Sequence, residues 1–173
     1  MEKKENMRKR RTYMLLYHGS YKKFTNFELK YAKEGKDYGK GIYFTPNYDQ
    51  AKKWAARKKG KGYIYIIEIP DEIFLDSEYN ILNLNHYNKE WADIIVACRS
   101  FFYEPDYDII YGKMADGRFW ELEEYIDDYR NGKLKLASFI LGVRCKQEYM
   151  QYCFKSEKAV MYINDRLKEV IEV

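Results

Sequence analysis

The sequence predicts a single α+β domain, and three observations predict it. Tyr63–Ile69 (YIYIIEI) is almost entirely β-branched or aromatic and is closed by Pro70, the composition of a buried strand. Tyr48–Lys59 places Ala51, Trp54 and Ala55 at helical spacing behind Pro46 and Asn47, the pattern of an amphipathic helix. The 173 residues, 46% of them hydrophobic, contain no repeat, low-complexity tract or linker that would divide them.

The remaining elements follow in order. Met14–Tyr17 is a short apolar run stopped by His18-Gly19-Ser20, which reads as a strand ending in a turn. Phe24–Ala32 is mixed, extended or briefly helical. Glu34–Gly41 is rich in glycine and charge and reads as a mobile loop. Ile42–Thr45 is a short strand. Beyond Tyr63–Ile69, Ile73–Leu75 and Tyr79–Leu84 are shorter strand candidates. Asn88–Phe102 is a helix with Trp91, Ile94, Ile95 and Cys98 on one face. Tyr107–Tyr111 is a strand closed by Gly112. Asp116–Tyr129 and Leu134–Leu141 are helices. Tyr149–Phe154 is a strand, and Ser156 caps a last helix, Glu157–Lys168. Residues 1–12 form a basic tail ahead of the domain at 13–173.

Composition excludes several classes. Three cysteines without C-x-x-C spacing do not make a disulfide framework, and two histidines leave little material for a metal site, so no metal is expected. The cysteines read as buried free thiols of a reducing compartment. No apolar stretch follows the basic start, and Tyr13–Tyr17 is too short for a signal-peptide core, so a cytoplasmic location without membrane contact is expected. The net charge of +4 permits a polyanionic partner without requiring one.

Two stretches carry candidate chemistry. At the end of the first strand, His18 offers a hydrogen-bond donor to a ribose hydroxyl, and Ser20 with the backbone of Gly19 offers groups for a planar amide. Asp37–Thr45 (DYGKGIYFT) reads as a glycine-containing loop that folds over a ligand, with Tyr43 presenting a ring face for stacking. Taken singly, each also reads as an ordinary turn or hairpin. Their order, followed by Gln50–Ala55 (QAKKWA), is more specific.

In that order the chain resembles the ADP-ribosyltransferase superfamily, and more narrowly the bacterial DUF3990 family of transferase-like domains. The resemblance rests on Tyr17–Ser20, Asp37–Thr45, Gln50–Ala55, Glu90–Ile95 with Arg99, Tyr107–Asp116 and Gln151–Ala159. It implies a split, twisted β-core with flanking helices and an NAD-binding cleft. His18 would contact the adenosine-side ribose, the backbone at Gly19 would hold the nicotinamide amide, and Tyr43 would stack on nicotinamide. Ser20, Gly41 and Thr45 would complete the binding motifs. Gln151 falls where the superfamily usually has a glutamate that contacts the nicotinamide ribose. Glutamine keeps the hydrogen bond and loses the charge that would stabilise an oxocarbenium-like state. Glu148 is either a solvated carboxylate or an acceptor contact with acid–base capacity. Asp116 is either a helix cap or a cleft-facing group. Arg99 either neutralises a phosphate or pairs with an acidic neighbour. Lys52–Lys61 is either a solvated face or a surface that steers nucleic acid.

The resemblance therefore implies an NAD-dependent mono-ADP-ribosyltransferase, a glycosyltransferase acting on a protein or nucleic-acid acceptor. It also implies an intracellular toxin of a toxin–antitoxin or phage-defence system with a cognate antitoxin protein. The alternative is a module that binds NAD or ADP-ribose with weak or lost catalysis. RNA 2′-phosphotransferase chemistry ranks below both, because Tyr43 stands where a second histidine would be expected.

Overall fold

The computed structural model describes residues 12–116 and 119–173, except the side chains of Phe119 and Trp120. The basic tail expected at the N-terminus lies outside the described residues up to position 11. Among the described residues two antiparallel-rich sheets and five α-helices make the α+β architecture. The first sheet has the order β1-β3-β7, from β1 (Tyr13–Ser20), β3 (Tyr63–Pro70) and β7 (Leu167–Glu172), all antiparallel. The second has the order β2-β6-β5-β4, from β2 (Ile42–Phe44), β6 (Met150–Phe154), β5 (Ile109–Lys113) and β4 (Ile81–Leu84). Only β4 and β5 run parallel. A parallel pair needs a crossover, and α2 (Lys89–Arg99) lies in it.

The edges of the two sheets meet at one point. Tyr17 N–H donates to the Thr45 carbonyl at 2.8 Å, and Thr45 N–H returns to the Tyr17 carbonyl at 2.9 Å. Apolar faces of both sheets close over Leu16, Phe44, Tyr65, Ile67, Tyr152 and Phe154, with α5 (Glu157–Asn164) adding Ala159 and Ile163. The other face of β3 buries Ile64 and Ile66 against Ala51 and Ala55 of α1 (Tyr48–Ala55). A second core joins α2 to α3 (Phe119–Arg130) and α4 (Leu136–Val143) through Trp91, Ile95, Ile126 and Phe139. Each leucine, isoleucine or phenylalanine among these, fully buried, contributes roughly 1.5–3 kcal/mol.

The structure corrects several sequence boundaries. The strand candidate at Ile73–Leu75 lies in a 3₁₀ turn, Asp71–Leu75, which Pro70 opens from an extended backbone. The helix beginning at Tyr48 ends at Ala55, so Arg57–Lys61 lies in the turn that follows it. The last helix ends at Asn164, and the chain returns as β7 to cover the β3 edge. Asn47, Asn88 and Ser156 are true N-caps, each accepting a backbone N–H three residues on.

Candidate functional site

A cleft of about 980 Å³ opens where the two sheets part beyond the Tyr17–Thr45 bridge. His18, Gly19 and Ser20 of β1, Gly41 before β2, Tyr43 of β2 and Gln151 of β6 line it together with Arg99. Hydrogen bonding alternates along an antiparallel strand. Since Tyr17 directs its N–H and C=O away from β3 toward Thr45, Gly19 directs its own pair the same way, into the opening. A side chain at Gly19 would drive its Cβ into the Ala51 carbonyl oxygen of α1. Glycine is therefore required there by the close approach of strand and helix.

His18 ties the seam together. Its Nδ1 lies 2.7 Å from the Tyr43 carbonyl oxygen, which can only accept, so Nδ1 carries the proton. The ring is wedged edge-on among Phe24, Phe27 and Tyr65 and tilted against Phe44. Burial lowers its pKa, an effect the Tyr43 bond only partly opposes. The neutral ring thus offers Nε2 as an acceptor. This corrects the expected role as donor to a ribose hydroxyl: the one N–H of the neutral ring is already bound to Tyr43.

Tyr43 is held at its far end. Its hydroxyl donates to the Gly39 carbonyl at 2.6 Å and accepts from Tyr38 N–H at 3.0 Å. Burial pushes this phenol well above its ordinary value. The hydroxyl anchors the loop before β2, and the ring is what the residue offers the cleft. That loop is not the free segment its composition suggests. The ammonium of Lys155, which is 4% exposed, donates to the Tyr38 carbonyl at 2.7 Å and the Lys40 carbonyl at 2.9 Å, and pairs with Glu104.

Gln151 is buried, and its Nε2 donates to Asp37 Oδ2 at 2.7 Å. Asp37 is a functional candidate that sequence reasoning missed. It is a buried carboxylate, 4% exposed, and Arg99 grips its Oδ1 through Nε at 2.8 Å and Nη2 at 2.5 Å. Arg99 thus takes the acidic-neighbour option while still lining the cleft. The only sequence signal for Asp37 is its place as first residue of the glycine-containing motif, since its partners are 62, 78 and 114 residues away.

Other expected site residues are placed elsewhere or engaged otherwise. Thr45 is fully buried outside the cleft lining, donating to Gln50 Oε1 at 2.5 Å and accepting from Asn47 N–H. It locks the bridge, and Gln50 is its structural partner. Ser20 Oγ donates to the Lys22 carbonyl in its own turn. Gly41 lines the cleft, but a Cβ there would collide with Cys153 Sγ, so tight packing on β6 demands the glycine. Glu148 is exposed, outside the lining, and bound at 2.7 Å by Lys113, whose hydrogen bond lowers its pKa. It is held as an anion rather than poised as an acid. Asp116 is exposed and outside the lining. Any cap it gives α3 would involve positions outside the described residues.

The cleft is electropositive. Lys22, Lys23, Lys33, Lys36 and Arg57 line it beside Arg99, against the carboxylates of Glu28 and Asp37. Partial burial lowers the Lys36 pKa, and Arg99 and Arg57 lower it further. Crowded like charges of this kind favour an anionic ligand. Trp54, Tyr21 and Tyr31 add aromatic surface to the same walls.

The family model described as "Protein of unknown function (DUF3990)" matches residues 14–164. The chain belongs to the DUF3990 family. The matched span runs from β1 through α5, so the DUF3990 region contains every cleft residue named above and leaves β7 outside it. No curated protein and no solved structure matches the chain. The three cysteines of this DUF3990 protein are buried and unpaired, and burial pushes the Cys98 and Cys153 thiols up to about 12. Among the described residues no helix is long and apolar enough to cross a membrane.

Proposed function

We propose that the cleft binds NAD and that the protein is a mono-ADP-ribosyltransferase. The observation that carries this reading is the convergence of His18, Tyr43 and Gln151, from three strands of two sheets, on one cationic cleft. The nicotinamide, a ribose hydroxyl and the pyrophosphate of NAD each have a counterpart there. The open N–H and C=O of Gly19 complement the oxygen and NH₂ of a carboxamide. The ring of Tyr43 suits a flat pyridinium. His18 Nε2 accepts from a ribose hydroxyl. Lys36, Arg57 and their neighbours suit a pyrophosphate.

In the reaction, the C–N bond between ribose and nicotinamide breaks and nicotinamide leaves with the electron pair. Positive charge develops on the ribose. Gln151 holds a ribose hydroxyl, and the acceptor nucleophile bonds to the anomeric carbon and loses its proton to solvent water. Binding in a fixed geometry supplies orientation and electrostatics rather than a new covalent intermediate.

Incubating the full chain with NAD labelled in the adenylate, together with protein and nucleic-acid fractions, tests this. The expected result is nicotinamide release with label on one fraction. No label and no release would overturn the transferase reading. Stabilisation by NAD without release would favour a binding module, the reading favoured by an amide at position 151 and by the pairing of Asp37 with Arg99.

A further inference from the structure

Gln151 stands where the resemblance expects a carboxylate, and a carboxylate stands directly behind it. Asp37 Oδ2 accepts from Gln151 Nε2 at 2.7 Å and from Ala115 N–H at 2.9 Å. Its Oδ1 accepts from Arg99 Nε and Nη2. Four donors occupy the four acceptor directions of one carboxylate, so Asp37 has none left for a ligand. A carboxylate of this kind acts only through what it holds. It accepts and does not donate, so the nitrogen of the Gln151 amide faces Asp37 and the oxygen is turned from it.

We propose that Asp37 is the positioning residue of the site, fixing the Gln151 amide so that Oε1 serves the cleft as a hydrogen-bond acceptor for a ligand hydroxyl. The identity of that hydroxyl as a ribose 2′-hydroxyl rests on the NAD reading; the pairing does not. The same geometry accounts for glutamine at this position. A glutamate would set a second carboxylate 2.7 Å from the first, and two carboxylates sharing one site cannot both ionise freely. Asp37 and Gln151 therefore form a matched pair, an acceptor bound to a donor, with Arg99 balancing the charge.

The test compares wild type, Asp37→Asn, Gln151→Glu and the double variant Asp37→Asn/Gln151→Glu. Nicotinamide release is followed with kcat and KM separated across pH, and thermal melts are taken at each pH. In Asp37→Asn the orientation of Gln151 is no longer fixed, and kcat falls about 100-fold. In Gln151→Glu a proton shared between the carboxylates replaces the amide donor at low pH. The raised pKa of that pair makes both activity and stability fall as pH rises through it. The double variant turns the introduced amide nitrogen at position 37 toward the introduced carboxylate at position 151, a donor facing an acceptor, and gives up the Ala115 N–H bond that Asp37 Oδ2 accepted. It loses that pH dependence and recovers activity over both single variants.

Wild-type kcat in Asp37→Asn would overturn the proposal, as would a Gln151→Glu pH profile identical to wild type. A poorly folded Asp37→Asn leaves the comparison of Gln151→Glu with the double variant decisive. Should the wild type neither release nicotinamide nor respond to NAD, the NAD reading fails, and the melts still decide the pairing. The same pH dependence of stability in Gln151→Glu and the double variant would then sink it.

Discussion

His18 joins the two halves of the molecule and serves the cleft with the same ring. Burial lowers its pKa, so on acidification the unfolded chain takes up the proton first. The stability this neutral ring provides is fully present above the ordinary histidine range near 6.5 and is lost as pH falls toward the depressed native value. Urea midpoints of wild type should therefore drop across that window, and those of His18→Asn should drop less. Tyr43 separates ring from hydroxyl. Tyr43→Phe leaves the Gly39 carbonyl and Tyr38 N–H without a partner and should cost roughly 1–3 kcal/mol in urea unfolding while keeping NAD turnover within several-fold. Tyr43→Ala should lose both stability and turnover. That His18, Tyr43 and Gln151 share one cleft was legible because they lie in short motifs whose order is informative. Asp37 was not, because a buried carboxylate is recognisable only with its partners, and Arg99 and Gln151 arrive from distant elements. Thr45 and Glu148 read as functional groups because sequence does not reveal that Gln50 and Lys113 already bind them.

At the scale of elements, the cleft depends on how closely α1 rides on β1. Gly19→Ala drives a methyl into the Ala51 carbonyl and Ala55 N–H, backbone atoms that cannot rotate away. Overpacking of this kind typically costs about 1–3 kcal/mol, and denaturant unfolding should place this variant at or above the upper end. The cap of the same helix should give less: Asn47→Ala removes one capping bond, worth about 1 kcal/mol in the same measurement. Strong local signals made β3, α1, α2 and α5 readable: β-branched and aromatic composition for β3, helical spacing for α1 and α2, and the Ser156 cap for α5. The exception at the C-terminus has a physical cause. Val160, Ile163 and Leu167 continue a helical spacing, so the sequence extends the helix. The exposed edge of β3 wins that segment instead, pairing Tyr63–Ile67 with β7 in a register that no local pattern encodes.

Among the described residues two sheets are joined by the Tyr17–Thr45 backbone bridge, with a cationic cleft where they separate. The net charge of +4 understates this, because acidic residues of α3 offset the basic ones elsewhere while the cleft keeps its cations. Arg57→Ala should weaken NAD binding about tenfold, and NAD affinity of wild type should fall with rising salt. Calorimetric titration at two ionic strengths checks both. The α+β class and the neighbourhood of the cleft were readable from sequence. The bridge that creates the cleft was not, since it joins Tyr17 to Thr45 across an otherwise unpaired boundary. This boundary is proposed as an NAD site built on His18. The most direct measurement is the thermal melt of wild type and His18→Ala with and without NAD. At about 100 times its Kd, NAD adds about 2.7 kcal/mol, which for a domain of this size raises Tm by roughly 5–11 °C. That rise is expected for wild type, and little or none for a folded His18→Ala. An unchanged wild-type Tm, or an equal rise in both proteins, would contradict it.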